Sequence, residues 1–181
     1  MEIHSTTILA FFHKGSLVFA GDGQVTVNNT IMKHGACKIR KTQDGNVLAG
    51  FAGSAADSFT LFERFEGKLK EFNGQLGRAA VELARDWRTD KYLRQLEAMM
   101  IVADKSNMYV LSGHGDVIQP DDGVVAIGSG GNFALSAARA LIRRGDTALT
   151  GREIAEAAMN IASEICPFTN KHFVFEELSC G

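Results

Sequence analysis

Three residues of this chain have types and spacing suited to chemistry: Thr6, one of two adjacent threonines ahead of an apolar run, Asp22 in a Gly-Asp-Gly turn, and Lys38 at the start of another strand-like segment. A threonine hydroxyl is a weak nucleophile until a base takes its proton. If the chain is cut between Ser5 and Thr6, the new α-amino group, with an ordinary pKa of about 7.7–8.0, is such a base. One residue then holds both nucleophile and base. A nearby lysine disfavours protonation of that amine and favours the anionic hydroxyl, and a buried carboxylate beside the lysine keeps it charged and aimed. Taken singly, Asp22 reads as a turn former, because Asp-Gly is a common turn signal, and Lys38 as a solvated strand residue. Their combination with Thr6-Thr7 is what points to a site.

The elements that must position these residues follow from periodicity. Strands are expected over residues 6–13 and 16–20, around 24–27 and 30–32, and over 37–42 and 47–52 joined through Asp44-Gly45. β-branched and aromatic residues between regular turn signals argue for an antiparallel meander. After Gly53 the period changes. Ser54 with Asp57 makes a helix start, and Phe59, Phe62, Phe65, Leu69 and Phe72 recur at helical steps on one face until Asn73-Gly74. A second helix from Gln75 aligns Leu76, Ala80, Leu83 and Trp87, a stripe that reads as core packing rather than a cofactor box. Strands return at 98–103, 108–111 and 124–127, then a helix through 132–143. A last helix opens at Thr150, with a capping box closed by Glu153, and a final strand lies near 172–178. This order suggests two antiparallel sheets stacked face to face, with helices on both outer faces.

Composition narrows the function. A length of 181 residues with 45% hydrophobic residues suits one domain with a substantial core. A net charge of −2 with mixed signs gives no basic stripe, so nucleic acid is not an expected partner. The cysteines Cys37, Cys166 and Cys180 are odd in number and lack Cys-x-x-Cys spacing, which fits reducing cytoplasm better than a disulfide framework or a zinc site. The first residues carry no basic signal-peptide region, and no apolar run approaches a membrane span, so a soluble cytoplasmic protein is expected. His34-x-x-Cys37 is at most half a metal site. Gly128-Ser129-Gly130-Gly131 precedes a helix but lacks the lysine of a P-loop and the spacing of a dinucleotide fingerprint, so nucleotide binding is not expected.

Segments in order along the chain resemble the HslV (ClpQ) family, the simple bacterial relatives of the proteasome β subunits. They include Thr6-Thr7-Ile8, Ala20-Gly21-Asp22-Gly23-Gln24, Lys38-Ile39-Arg40, Leu48-Ala49-Gly50-Phe51-Ala52-Gly53, Asp86-Trp87-Arg88, Ala126-Ile127-Gly128-Ser129-Gly130-Gly131 and Thr169-Asn170. The resemblance covers nearly the whole chain from Thr6 onward. It implies an α+β, four-layer αββα sandwich of the N-terminal-nucleophile (Ntn) hydrolase type, with residues 1–5 a propeptide removed on maturation and 6–181 a single peptidase domain. It also implies a threonine endopeptidase with Thr6 as nucleophile, Asp22, Lys38 and Ser129 beside it, and the amide of Gly50 as oxyanion donor. The carbonyls of Ser163, Cys166 and Thr169 match a segment that binds a monovalent cation, sodium foremost, at a helix end. As partners the resemblance implies further copies in two stacked hexameric rings, the AAA+ ATPase HslU (ClpY), and unfolded protein substrates, with no nucleotide bound by this subunit.

The chain departs from the family pattern at its start. Many relatives begin Met-Thr-Thr, whereas five residues precede Thr6 here, and Ser5 stands where proteasome β propeptides often place glycine. Ser5 therefore remains a second candidate for the mature nucleophile. Two other functions stay open: a small-molecule amidase of the same fold, and a catalytically silent scaffold subunit that keeps residues 1–5.

Overall fold

The computed structural model describes residues 3–4, 6–96, 98–145 and 148–181. Its plan follows from the first two long strands, β2 (Thr7–His13) and β3 (Ser16–Gly21), which pair as a hairpin through Lys14-Gly15. Both faces of this hairpin are apolar. Ile8, Ala10, Leu17 and Phe19 point one way, and Leu9, Phe11, Val18 and Ala20 the other. Alternating side chains that are apolar on both faces require cover on both faces.

On one face that cover is a second sheet. β2 and β3 lie in a four-stranded antiparallel sheet between β11 (Val124–Gly128) and β12 (Val174–Ser179). Opposite it stands a five-stranded antiparallel sheet in the order β10 (Val117–Ile118), β9 (Met108–Ser112), β8 (Ala98–Ala103), β7 (Leu48–Gly53), β6 (Ile39–Lys41). Leu48, Ile101, Ala103, Met108 and Val110 meet the inner residues of the hairpin between the sheets. Helices α1 (Ala55–Glu71) and α2 (Leu76–Thr89) cover the outer face of the five-stranded sheet, with Leu61, Phe65, Leu83 and Trp87 packed on Phe51, Met100, Val102 and Leu111. Helices α3 (Gly131–Arg143) and α4 (Gly151–Ile165) cover the other outer face through Ala134, Ala138, Ile154, Ala158 and Met159. The result is the four-layer αββα sandwich. Each fully buried ring, such as Phe11, Phe19, Phe51 and Phe65, contributes about 1.5–3 kcal/mol relative to exposure.

The helix starts match the sequence reading. The Ser54 hydroxyl accepts the Asp57 N–H, and Thr150 and Glu153 form a reciprocal capping box. Phe59 differs. It was expected on the buried stripe of α1, but it is 52% exposed, and the Arg40 guanidinium, rather than core, covers its ring at 3.7 Å from the centroid. Sequence reasoning expected the strands around 24–27 and 30–32, but not β10, the 3₁₀ turn at Leu93–Gln95, or the two-residue strand that joins the former two in a small third sheet. In that sheet, β1 (Ile3–His4) pairs antiparallel with β4 (Val25–Val27), which in turn pairs with β5 (Thr30–Lys33). Two-residue strands are too short to carry a period.

Candidate active site

One end of the sandwich gathers most of the buried polar side chains among the described residues: Thr6, Thr7, Asp22, Gln24, Thr26 and Thr169 are all buried there, with Thr42 apart from them in the β6–β7 turn. The arrangement begins with the last rung of the β2–β3 hairpin. Beyond the Ile8–Gly21 pair, the Asp22 N–H donates to the Thr7 carbonyl at 3.1 Å. The return bond goes to a side chain, since the Thr7 N–H donates to Asp22 Oδ1 at 2.8 Å. With its carboxylate taking the place of a ladder carbonyl, the main chain is released to turn at Gly23. Oδ1 also accepts Lys38 Nζ at 2.9 Å, and Oδ2 accepts the Gln24 N–H at 2.9 Å and the Asn170 N–H at 3.4 Å. A carboxylate without solvent exposure is thus surrounded by four donors, which is how a buried charge is tolerated.

Lys38 sits just ahead of β6 and is fixed at both ends. Its carbonyl accepts the Phe51 N–H at 3.1 Å, and its ammonium donates to Asp22 and, at 2.6 Å, to the Gln24 carbonyl. Burial pushes the Lys38 pKa below the ordinary lysine value, while the charge and hydrogen bond of Asp22 act in the opposite direction. Because Lys38 Nζ and the Thr7 nitrogen share one carboxylate oxygen, the ammonium lies within two hydrogen-bond lengths of the amide that follows Thr6. From the other side, the Ser129 hydroxyl reaches the Thr6 carbonyl at 3.4 Å. Gly128, opposite Thr7 in the ladder, has φ +91°, and a Cβ there would run into the Thr6 carbonyl. Thr6, Asp22, Lys38 and Ser129 therefore share one corner. Ser5 lies outside the described residues.

Gly50 does not join them. It lies inside β7, paired with Ile39 on one side and Ile101 on the other. Successive amides of a strand point to opposite edges, so with the Phe51 N–H directed at Lys38 the Gly50 N–H faces β8 and is spent in the ladder. The expectation that this amide serves as oxyanion donor is corrected. The next amide on the Lys38 edge belongs to Gly53, where β7 runs past the end of β6 and the backbone takes φ +139°. The sequence signal was available in Ala52-Gly53, but two glycines three residues apart do not say which one ends the strand.

The expected cation ligands close α4 at the same corner. The carbonyl of Ser163 would bond the N–H of residue 167 in a continuing helix, and Pro167 has none. The Thr169 N–H donates to the Cys166 carbonyl at 3.1 Å, folding the turn back under the helix end. Among the described residues, no group of three His, Cys, Asp or Glu side chains is placed to hold a metal, so an ion here would rest on main-chain oxygen. That donor set, with one helix carbonyl lacking its partner, fits a hard monovalent cation.

The same turn makes side-chain contacts that sequence reasoning did not assign. Thr169 Oγ1 and Thr7 Oγ1 are hydrogen-bonded at 2.7 Å, the Gln24 amide donates to the Pro167 carbonyl at 3.1 Å and to Thr26 Oγ1 at 2.9 Å, and Asn170 contacts both Asp22 and Gly23. These partners are separated by up to 162 residues, which no local pattern reveals.

Comparison with known proteins gives the same picture over the chain's length. A family model described as proteasome subunit matches residues 3–178. The ATP-dependent protease subunit HslV of Bacillus cereus (strain Q1) is 61% identical over 178 residues, covering 98% of this chain and 99% of that protein. The HslV of Pseudothermotoga lettingae is also 61% identical over 178 residues, covering 98% of this chain and 100% of its own length. The crystal structure of eukaryotic HslV from Trypanosoma brucei superposes with a TM-score of 0.91 at 47% identity, covering 96% of this chain and 99% of that one. With its buried threonine and aspartate and its part-buried lysine at the end of a four-layer sandwich, and with relatives this similar from end to end, the chain belongs to the proteasome-subunit family and, within it, stands with the HslV proteins.

Proposed function

We propose that this chain is the proteolytic subunit of a two-component ATP-dependent protease, in which Thr6 cleaves peptide bonds of unfolded proteins delivered by a partner ATPase of the HslU (ClpY) type. The observation that carries the reading is the Asp22 carboxylate, which ties Lys38 to the amide next to Thr6 in a buried corner. Removal of residues 1–5 frees the Thr6 amine. That amine takes the proton of Thr6 Oγ as the oxygen attacks a substrate carbonyl, and returns it to the leaving amine as the acyl-enzyme forms; water then releases the acid. The Lys38 ammonium favours the neutral amine, and the Gly53 N–H serves as donor to the developing oxyanion.

The same chemistry supplies the maturation step. Thr6 Oγ attacks the Ser5 carbonyl carbon, the Ser5–Thr6 C–N bond breaks to leave an ester and a free amine, and water hydrolyses the ester. β1 pairs antiparallel with β4 on the way into Thr6, with Ile3 opposite Val27 and His4 opposite Thr26. This supports an extended substrate lying along the edge of β4, with its scissile bond at Thr6. Ser163, Cys166 and Thr169 hold a sodium-class cation through their carbonyls, and the ion offsets the negative end of α4. Exposed apolar side chains such as Met32, Tyr92 and Ile118 support assembly into two stacked hexameric rings that enclose the sites. No helix among the described residues is long and apolar enough to cross a membrane, and Cys37, Cys166 and Cys180 are free thiols, which supports a cytoplasmic location.

The test is Thr6→Ala. Assembled Thr6→Ala, measured with the ATPase and a fluorogenic peptide, should lose at least about a thousandfold in kcat/KM while intact mass shows residues 1–5 retained. Activity near the wild-type level would overturn the assignment. Melting curves in sodium, potassium and a bulky organic cation at equal ionic strength test the ion; three identical curves would remove it.

A further inference from the structure

We propose that Asn170 is a positioning residue of the peptidase site, a clamp that holds the Asp22 turn against the segment leading into Lys38. The inference rests on the threonine-peptidase reading above and deepens it.

Asn170 uses both ends of its amide and its own main chain. Oδ1 accepts the N–H of Gly23 at 3.2 Å and of His172 at 3.1 Å, and Nδ2 donates to the His34 carbonyl at 2.9 Å. Its main-chain N–H points at Asp22 Oδ2. The two segments joined by the side chain also touch each other directly. The Ala36 N–H donates to the Gly23 carbonyl at 2.9 Å, and a Cβ on Gly23 would collide with the His34 carbonyl. Gly23 follows Asp22, and His34 lies four residues ahead of Lys38, so the Asn170 side chain, together with the Ala36–Gly23 main-chain bond, braces the stretches that carry the carboxylate and the ammonium against each other. Nothing in its own strand requires this; Asn170 lies in the turn before β12.

The consequence is electrostatic. Among the described residues, Asp22 and Lys38 are the charged groups inside the corner, and the Cys166 thiol is buried in the same corner. His34 and His172 face each other on its exposed rim with ring centroids 6.0 Å apart, and Lys171 is directed to Glu164 at 3.9 Å. If the clamp opens, Lys38 gains water and moves from the Thr6 amine. The amine then holds its proton to higher pH, because a nearby ammonium is what depresses that affinity. Asn170 touches none of the reacting atoms, and acts through the Asp22–Lys38 pair.

The experiment is the pH dependence of kcat/KM for a fluorogenic peptide with the partner ATPase present, in full-length wild type, Asn170→Ala and Asn170→Asp. For Asn170→Ala the acid limb should move up, giving about a tenfold loss near pH 7 that shrinks to about threefold near pH 9. Asn170→Asp keeps the acceptor for Gly23 and His172, replaces the donor to His34 and adds a negative charge near the amine, so its limb should move at least as far. It carries the test if Asn170→Ala does not assemble. The shift should persist in a His34→Gln/His172→Gln background, which removes both rim imidazoles and keeps every main-chain bond. Assembled variants with the wild-type limb, whether fully active or reduced by one factor at every pH, would overturn the clamp and leave the peptidase reading standing. Wild type with no peptidase activity beside its ATPase would overturn both.

Discussion

Two of the three Asp-Gly pairs in this chain look alike in sequence and do opposite work. Asp44-Gly45 turns the β6–β7 hairpin, at the end of those strands away from Lys38. Asp44 Oδ1 accepts the Thr42 hydroxyl at 2.6 Å and the Asn46 N–H at 3.1 Å, and Gly45 takes φ +74°. Every partner is within two residues and the carboxylate is exposed. Asp22-Gly23 ends the β2–β3 hairpin, but its carboxylate is fully buried and is bonded by Thr7, Lys38, Gln24 and Asn170, from 2 to 148 residues away. The first aspartate shapes its own turn. The second joins four parts of the chain, and its bonds have meaning only once the sandwich has closed.

That contrast is open to direct attack. Asp22→Asn should have the largest effect: at least about a hundredfold loss of kcat/KM and about 3 kcal/mol of stability, because Lys38 keeps the cost of burial without its counter-charge. Peptide hydrolysis and urea denaturation measure both, and a stable, active Asp22→Asn would reduce Asp22 to the rank of Asp44. Next, Thr169→Val leaves the buried Thr7 hydroxyl without its 2.7 Å partner and should cost about 1–3 kcal/mol with a several-fold drop in turnover. Thermal melting of the assembled protein decides it; an unchanged melting temperature would show the bond to be dispensable.

The smallest effect belongs to Asp44→Asn, below about 1 kcal/mol after screening at an exposed site and with unchanged turnover. The Thr42 hydroxyl, followed by Asn46, holds the Asp44 carboxyl below the usual carboxylate range. Its folded pKa is thus lower than its unfolded one, so its contribution is complete above the unfolded value and disappears as pH falls through the folded value. The gap between wild type and Asp44→Asn should therefore close below about pH 4. A gap that widened in acid would reverse the sign.

The same pair of turns shows what was legible in the sequence. The layers were readable because Phe62, Phe65 and Leu69 repeat at helical spacing and the strands alternate apolar faces, both local signals. Thr6, Asp22 and Lys38 were legible as residue types, and the resemblance to a family supplied their association. The sequence could not show which glycine amide faces the site. Gly50 and Gly53 differ only in strand parity, and parity is set by which rung of β6 meets β7. Asn170 and Thr169 stood out only as a matching segment and, for Thr169, as a carbonyl ligand; their side-chain partners were hidden because they lie more than 130 positions away, and a turn asparagine has an adequate local explanation.

The glycines of this corner also limit how the sequence can drift. A single added carbon at Gly23 meets the His34 carbonyl, at Gly128 the Thr6 carbonyl, and at Gly130 the hydroxyls of Thr7 and Thr169. These obstacles are main chain or short, already bonded hydroxyls, with no flexible end to swing aside. In a saturation library the exposed sides of the four helices should accept broad replacement, whereas these three positions should return glycine alone. Compensation cannot arrive one substitution at a time, because the neighbour that would have to retreat is the main chain of His34 or Thr6, or a hydroxyl already bonded in the corner.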